Sequence, residues 1–323
     1  MARMTVLGRT ELAISRLGIG TWAIGGGNYE FGWGPQDDDA SEAVLHQALA
    51  AGFNWIDTAP AYGLGRAEAL IGRALEGVQA RPLIFTKCSR LWHENGTFYS
   101  CLRRDSVRRE LDASLRRLRV DCVDLYQIHR PWPEDDLAEG WETLAGLKAE
   151  GLVRHIGVSY VTPGQLRMLE TIAPVETVQP EYNLLRRDVE RGVLPYCAER
   201  GVGVIAYSPM ASGLLTGTFS AERIAGLPDD DWRKHDPQYT EPALTTNLRV
   251  VGLLRDIGGE LGCSPGAVAV AWVLRNPAVS GAIVGFRHPG QVTGLADSAD
   301  IALSEEQLSR LDAATFDRTD ALS

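Results

Sequence analysis

The chain has 323 residues, 45% of them hydrophobic and 23% charged, with a formal net charge of −10. That balance reads as an ordinary soluble globular protein with a sizeable core. The acidic total argues against wholesale nucleic-acid binding, which needs a basic footprint, while leaving room for a local basic pocket that takes a phosphorylated cofactor.

In chain order, residues 5–15 read as an N-terminal β-hairpin and 16–20 as a first strand. Residues 37–51 follow as a helix, with Ala43, Val44, Gln47 and Ala48 at helical spacing. The next units are strand 53–57 with helix 68–75, and strand 82–87 with helix 103–118. The last of these helices sets Leu111, Leu115 and Leu118 on one face. Strand 123–129 precedes helix 137–150, which Gly151 closes. Strand 153–159, helix 163–172, strand 177–179 and helix 189–200, ending at Gly201, continue the rhythm. After strand 202–207 a long loop, 211–242, interrupts it. Helices 244–261 and 265–275, strand 281–284 and a closing helix at 304–314 complete the chain.

About eight strands, each followed by a helix, call for a parallel sheet closed on itself. The expected fold class is α/β, a (β/α)8 TIM barrel with an N-terminal β-hairpin and a long loop after strand 7. Without a linker rich in Pro, Gly or Ser, residues 1–323 read as a single domain. The start of the chain shows no signal peptide, and no stretch reaches the roughly 18 apolar residues of a membrane span. The five cysteines, Cys88, Cys101, Cys122, Cys197 and Cys263, are odd in number and lack C-x-x-C spacing. They read as reduced, structural thiols, which implies a cytoplasmic protein. No metal-ligand spacing is present.

Gly18-Ile19-Gly20-Thr21-Trp22-Ala23 fits the G-x-G-x-x-A pattern of a dinucleotide-binding turn. A true fingerprint opens directly into a helix. Here Gly25-Gly26-Gly27 and Gly32-Trp33-Gly34-Pro35 follow, so a loop over the barrel mouth is the better reading.

In such a barrel the reactive groups gather at the C-terminal ends of the strands. Those ends carry Asp57, Lys87, His129, Ser159, Gln179, Tyr207 and Gly285, with Tyr62 just beyond Asp57. A free tyrosine titrates near about 10, and a neighbouring ammonium lowers that value. Lys87, held by Asp57, is therefore expected to tune Tyr62 as a proton donor, while His129 orients a substrate carbonyl. Each residue alone is more often structural or solvated. The case rests on all four converging.

At these residues the chain resembles the aldo-keto reductase family. The matching pieces are DTAPAYGLGRAEALIG from Asp57, FTK ending at Lys87, DLYQIH ending at His129, IGVS ending at Ser159, VQPEYNLL, AYSPMASGLLTG and GFRHPGQV. They stand in the family's order over nearly the whole chain, and the bacterial members of the inositol-operon and general-stress type are the most similar. The resemblance implies NADPH, with NADH as the alternative, bound across the barrel mouth. It implies Asp57, Tyr62, Lys87 and His129 as the catalytic tetrad, and Ser159 and Gln179 on the nicotinamide carboxamide. Tyr207 would stack on the nicotinamide ring. Gly20, Thr21, Trp22, Asp57, Ser208, Pro209, Gly213, Leu214 and Gly285 would line the cofactor path. Arg287 would pair with the 2′-phosphate and Gln291 would lie beside the adenosine. Two departures stand out: Tyr160 replaces the family's usual Asn, and Gly294-Leu295 replaces its usual Glu-Asn.

The substrate pocket is expected to be aromatic, with Trp22, Tyr29, Trp33, Trp92 and Trp132 as its walls, and Phe31 and Trp232 as further candidates. The segment 218–241 is either a lid or an acidic excursion. An aldehyde, a ketone or a sugar fits the tetrad, in either direction of reaction. A cofactor-binding regulatory subunit, as among the potassium-channel β subunits, is the second functional reading. A metal-dependent hydrolase is a third, which the six histidines, none in ligand spacing, disfavour. Assemblies and monomers both occur in the family, so the oligomeric state stays open.

Overall fold

The computed structural model describes residues 3–27, 29–229 and 231–316. The expected single unit of residues 1–323 extends at both ends beyond these. Strands β1 (Met4–Val6) and β2 (Ala13–Ser15) pair antiparallel as the expected N-terminal hairpin. The barrel is closed by β3 (Leu17–Gly20), β4 (Trp55–Asp57), β5 (Leu83–Cys88), β8 (Val123–Ile128), β9 (Val153–Ser159), β10 (Thr177–Gln179), β11 (Gly203–Ala206) and β12 (Gly281–Gly285), all parallel. Between β5 and β8 lies a second, unexpected hairpin, β6 (Arg90–Trp92) with β7 (Phe98–Ser100).

Helices α1 (Asp38–Ala50), α2 (Arg66–Ala74), α3 (Arg104–Leu118), α4 (Leu137–Ala149), α5 (Pro163–Glu170) and α6 (Val193–Arg200) follow successive barrel strands. The last part of the chain adds α7 (Ala221–Ala225), α8 (Ala243–Leu261), α9 (Pro265–Leu274), α10 (Pro289–Thr293) and α11 (Glu305–Phe316). Local chemistry marks their ends. The Asp37 side chain accepts from the Ala40 amide at the start of α1, and Thr162 forms a capping box with Gln165 ahead of α5. Gly201 and Gly262 close α6 and α8 at positive φ, where a Cβ would be strained. No single described helix is long and apolar enough to cross a membrane. The pair α8 and α9 passes that test only jointly, is bent by 92°, and buries Val268 to Leu274 inside the fold.

Two cores hold the barrel. Outside the sheet, Leu111 and Leu118 of α3 are fully buried with Leu115 packed beside them, as the one-face spacing requires. Inside, Trp55, Phe85, Leu125, Ile205 and Ile283 meet Leu7, Leu12 and Ile14 from the N-terminal hairpin, which plugs the floor. Gly18 makes room for that floor: a Cβ there would stand 2.2 Å from the Trp55 ring. After β3 the chain makes only a short 3₁₀ turn, Trp22–Ile24, and no dinucleotide-binding helix.

Candidate active site

Side chains alternate along a strand, so Trp55 and Asp57 of β4 face the barrel interior together. So do Phe85 and Lys87 of β5, and Leu125 and Gln127 of β8. Register sets Asp57 beside Phe85, Phe85 beside Leu125, and Lys87 beside Gln127. The lower member of each pair is apolar and fills the floor. The upper member is polar and forms a layer just beneath the mouth.

In that layer Lys87 Nζ donates to Asp57 Oδ1 at 2.7 Å and to the Thr58 carbonyl at 2.9 Å. It also reaches the Tyr62 hydroxyl at 3.4 Å. Gln179 Nε2 donates to the second carboxylate oxygen, Asp57 Oδ2, at 2.8 Å. Both partners of the ion pair are buried. Burying such a pair is costly unless each remaining lone pair and proton has a partner, which Thr58 and Gln179 supply. The His129 ring meets the Tyr62 ring edge-on at 5.8 Å. The structure thus brings together Asp57, Tyr62, Lys87 and His129, the four residues singled out from the sequence.

One expectation is corrected. The Tyr62 phenol is raised, not lowered, despite the Lys87 ammonium beside it. Burial first, and then the charge of Asp57, hold Tyr62 well above its ordinary range. Burial likewise lowers Lys87 itself, against the pull of Asp57. His129 is held well below its usual value by burial and then by the charges of Lys87, Arg130 and Arg90, so its imidazole is neutral. Its Nδ1 has no partner among the described residues.

Two cavities flank this layer, and Trp22, Tyr62 and Tyr207 line both. The smaller, about 600 Å³, is walled by Trp22, Tyr29, Phe31 and Phe98, with Arg90, Arg130 and Tyr160 among its polar groups. The larger, about 1230 Å³, runs past Gly20, Thr21, Asp57, Ser208, Pro209, Gly213, Gly285, Arg287 and Gln291, all expected on the cofactor path. Arg223, Arg233 and His288 also face it, and none of these was anticipated. A cleft of this size lined by Arg223, Arg233 and Arg287 fits a dinucleotide phosphate.

Other expected site residues lie elsewhere. Leu214 is fully buried in the core and does not line the cleft. The Ser159 hydroxyl is buried and donates to the Gln179 carbonyl at 2.6 Å, so both carboxamide candidates point into the protein's own network. Trp33 faces the larger cavity. Trp92 packs against Phe98 at 6.5 Å, and Trp132 is 48% exposed; neither lines a cavity. Aromatic content signalled a wall without saying which way each ring turns. Arg287 is tied down by the segment between β3 and α1, donating to Gln36 Oε1 at 2.8 Å and to the carbonyls of Trp33 and Pro35 at 2.6 and 2.5 Å. Those bonds use three of its five donors.

Tyr160, the departure from the family's Asn, sits at φ 58° and lays its ring 5.4 Å from Tyr207. Arg90 and Phe98 reach the smaller cavity from the β6–β7 hairpin. A signal for it was present: Asn95-Gly96 between the two aromatic-bearing triplets that became β6 and β7 is strong hairpin chemistry.

The segment after β11 is built of short turns capped by Ser220, Asp231 and Asp236 side chains, and buries Phe219, Ile224 and Tyr239. Within it Asp231 and Arg233 form a buried bidentate pair at 2.9 and 2.6 Å. Trp232 stacks on Trp22 at 5.3 Å, and Trp22 stacks on Tyr62 at 6.4 Å. This segment therefore packs over the mouth instead of forming an acidic excursion. Among the described residues, no group of three or more His, Cys, Asp or Glu gathers as a metal site.

Residues 16–315 match the model of the Aldo/keto reductase family. The chain is 36% identical over 305 residues to the aldo-keto reductase YhdN of Bacillus subtilis (strain 168), covering 94% of this chain and 90% of that protein. It is 31% identical over 320 residues to the NADH-specific methylglyoxal reductase of Escherichia coli (strain K12), covering 93% and 94%. Among solved structures it superposes on the glycerol dehydrogenase AKR11B4 from Gluconobacter oxydans with a TM-score of 0.87 at 36% identity, covering 96% and 94% of the two chains.

Proposed function

Because the chain belongs to the aldo/keto reductase family, we propose that it reduces a small aldehyde, ketone or sugar carbonyl reversibly to the alcohol, with NADPH as the preferred reductant and Tyr62 as the proton donor. The observation that carries this reading is the placement of Tyr62 on the wall shared by the two cavities, 3.4 Å from Lys87 Nζ and edge-on to His129. When bound, the reduced nicotinamide supplies the hydride that the carbonyl carbon accepts.

The chain's own residues do the rest. Tyr62, protonated at neutral pH, gives its proton to the carbonyl oxygen as the alcohol forms. Neutral His129 donates a hydrogen bond to that oxygen and fixes its direction toward the phenol. Lys87 lies against the phenol oxygen and steadies the negative charge left there, while Asp57 and Gln179 hold Lys87 in place. The larger cavity holds the nucleotide, with Tyr207, Ser208, Pro209 and Gly213 along its length and Arg223, Arg287 and Gln291 toward its phosphates and adenosine. NADH remains a second substrate, the E. coli relative being an NADH-specific reductase. Residues 1–323 act as one catalytic domain, grouped with bacterial members of the inositol-operon and general-stress type on the strength of the shared motifs.

The test is to follow nicotinamide absorbance with purified protein and a panel of aldehydes, ketones and sugars, beside titrations of NADPH and NADH. Binding with carbonyl-dependent oxidation of the nucleotide supports the reading. Absence of nucleotide binding contradicts it.

A further inference from the structure

The smaller cavity carries two arginines and no acid among its described lining residues. Arg130 lies with its guanidinium carbon 3.2 Å from the centre of the Tyr160 ring and 5.3 Å from that of Trp132. Arg90 lies 4.8 Å from the Phe98 ring and 5.3 Å from that of Phe31. Neither guanidinium makes a hydrogen bond or ion pair with a described residue. Other partly buried arginines of this chain behave differently: Arg233 pairs with Asp231, Arg117 with Glu68, and Arg187 with Glu190 and Asp312. The nearest acids do not serve. Glu30 is exposed and accepts from the Phe98 amide at 3.4 Å. Glu181 lines a separate cavity behind Tyr160 and Tyr207.

Stacking orients a guanidinium face but leaves its in-plane donors free. Two like charges held in one partly buried cavity repel each other. Burial first, and then the charge of Arg130, lower the Arg90 pKa. A bound anion would relieve that repulsion and fill the empty donors at once. Resting on the reductase reading above, we propose that the carbonyl substrate carries an anionic group, a carboxylate or a phosphate, which Arg90 and Arg130 receive while Tyr62 and His129 hold the carbonyl oxygen. The apolar walls of Trp22, Tyr29, Phe31 and Phe98 cover the short carbon segment between the two ends. Tyr160 is then a specificity residue: its ring supports Arg130 at the mouth of β9.

The experiment compares matched carbonyls with the intact enzyme and NADPH. Succinic semialdehyde is set against its methyl ester, and glyceraldehyde 3-phosphate against glyceraldehyde. Wild-type kcat/KM should favour the charged member of at least one pair by about tenfold or more. Which pair shows the preference tells a carboxylate from a phosphate. In Arg90→Gln and Arg130→Gln the charged-to-neutral ratio should fall toward one, chiefly through KM. A ratio near one in wild type for both pairs would overturn the proposal and leave the reductase reading standing. A preference kept in both variants would overturn the assignment to these arginines. No nucleotide oxidation with any of the four carbonyls would overturn this proposal, and the reductase reading falls with it only where the nucleotide does not bind either.

Discussion

Gln179 donates its side-chain amide to Asp57 at 2.8 Å, on the carboxylate oxygen that Lys87 does not use. The glutamine is therefore part of the buried charge network before any nucleotide arrives. Gln179→Leu should leave that oxygen unsatisfied and destabilise the nucleotide-free protein by about 1–3 kcal/mol. Denaturant unfolding without nucleotide checks this. Unchanged stability would mean the amide serves ligand contact alone.

The phenol of Tyr62 is held well above its ordinary value, so its protonated form persists through neutral pH and is lost only as pH climbs through the raised pKa. The imidazole of His129 is already neutral above its lowered pKa. Carbonyl reduction should therefore show neither a His129 break near about pH 6.5 nor a Tyr62 break below about pH 10. Alcohol oxidation needs the phenolate and should rise with pH over the same range. Initial rates in both directions test this. A reduction rate already falling across about pH 7 to 8 would run against it.

At the other end of the barrel, His155 Nδ1 donates to Glu176 at 2.8 Å, and Lys148 donates to the same oxygen at 2.7 Å. Burial pulls His155 down, but its bonds to Glu176 and Glu11 outweigh this and raise it. Burial pushes Glu176 up, but His155, Lys148 and the Ile156 amide outweigh this and bring it to about 2. The raised histidine contributes stability below its unfolded pKa and loses it as pH rises through the folded value. The lowered glutamate contributes above its unfolded pKa and loses stability as pH falls toward about 2. Both contributions are complete between about pH 4.5 and 6.5. Glu176→Gln should flatten both limbs of a melting-temperature profile, and an unaltered profile would exclude this pair as their source.

Asp231 and Arg233 are nearly buried partners, with side-chain exposures of 3% and 10%. Asp231→Ala leaves a buried guanidinium without its carboxylate, a loss of about 3–5 kcal/mol concentrated in the segment they hold. Limited proteolysis should then cut within residues 218–241 faster than in wild type, and nucleotide binding should weaken. Equal cutting rates would show that the segment is held by its apolar contacts alone.

Much of this was legible in the sequence. The barrel could be read because each strand is short and apolar and each helix carries one apolar face, as Leu111 and Leu118 show. The proximity of Asp57, Lys87 and His129 could be read because they fall at or next to strand ends, with Tyr62 in the loop after β4. What escaped was direction and local order. Trp92 and Trp132 read as pocket walls, yet they pack behind the lining residues Phe98 and Arg130 and line neither cavity. The segment after β11 read as a loop because its buried residues, Phe219, Ile224 and Tyr239, follow no helical or strand period. Its order comes from side-chain caps at Ser220, Asp231 and Asp236. The direction of the Tyr62 shift escaped because burial, its larger cause, does not show in the order of residues along the strand ends.

The central claim is that Tyr62 delivers the proton. The most direct test is a single-turnover measurement of nucleotide oxidation by Tyr62→Phe, with nucleotide Kd measured on the same sample. The expected result is a rate lowered by about 10²–10⁴-fold with Kd unchanged, because the ring is kept and only the proton-bearing hydroxyl is removed. A wild-type rate in that variant would contradict the assignment.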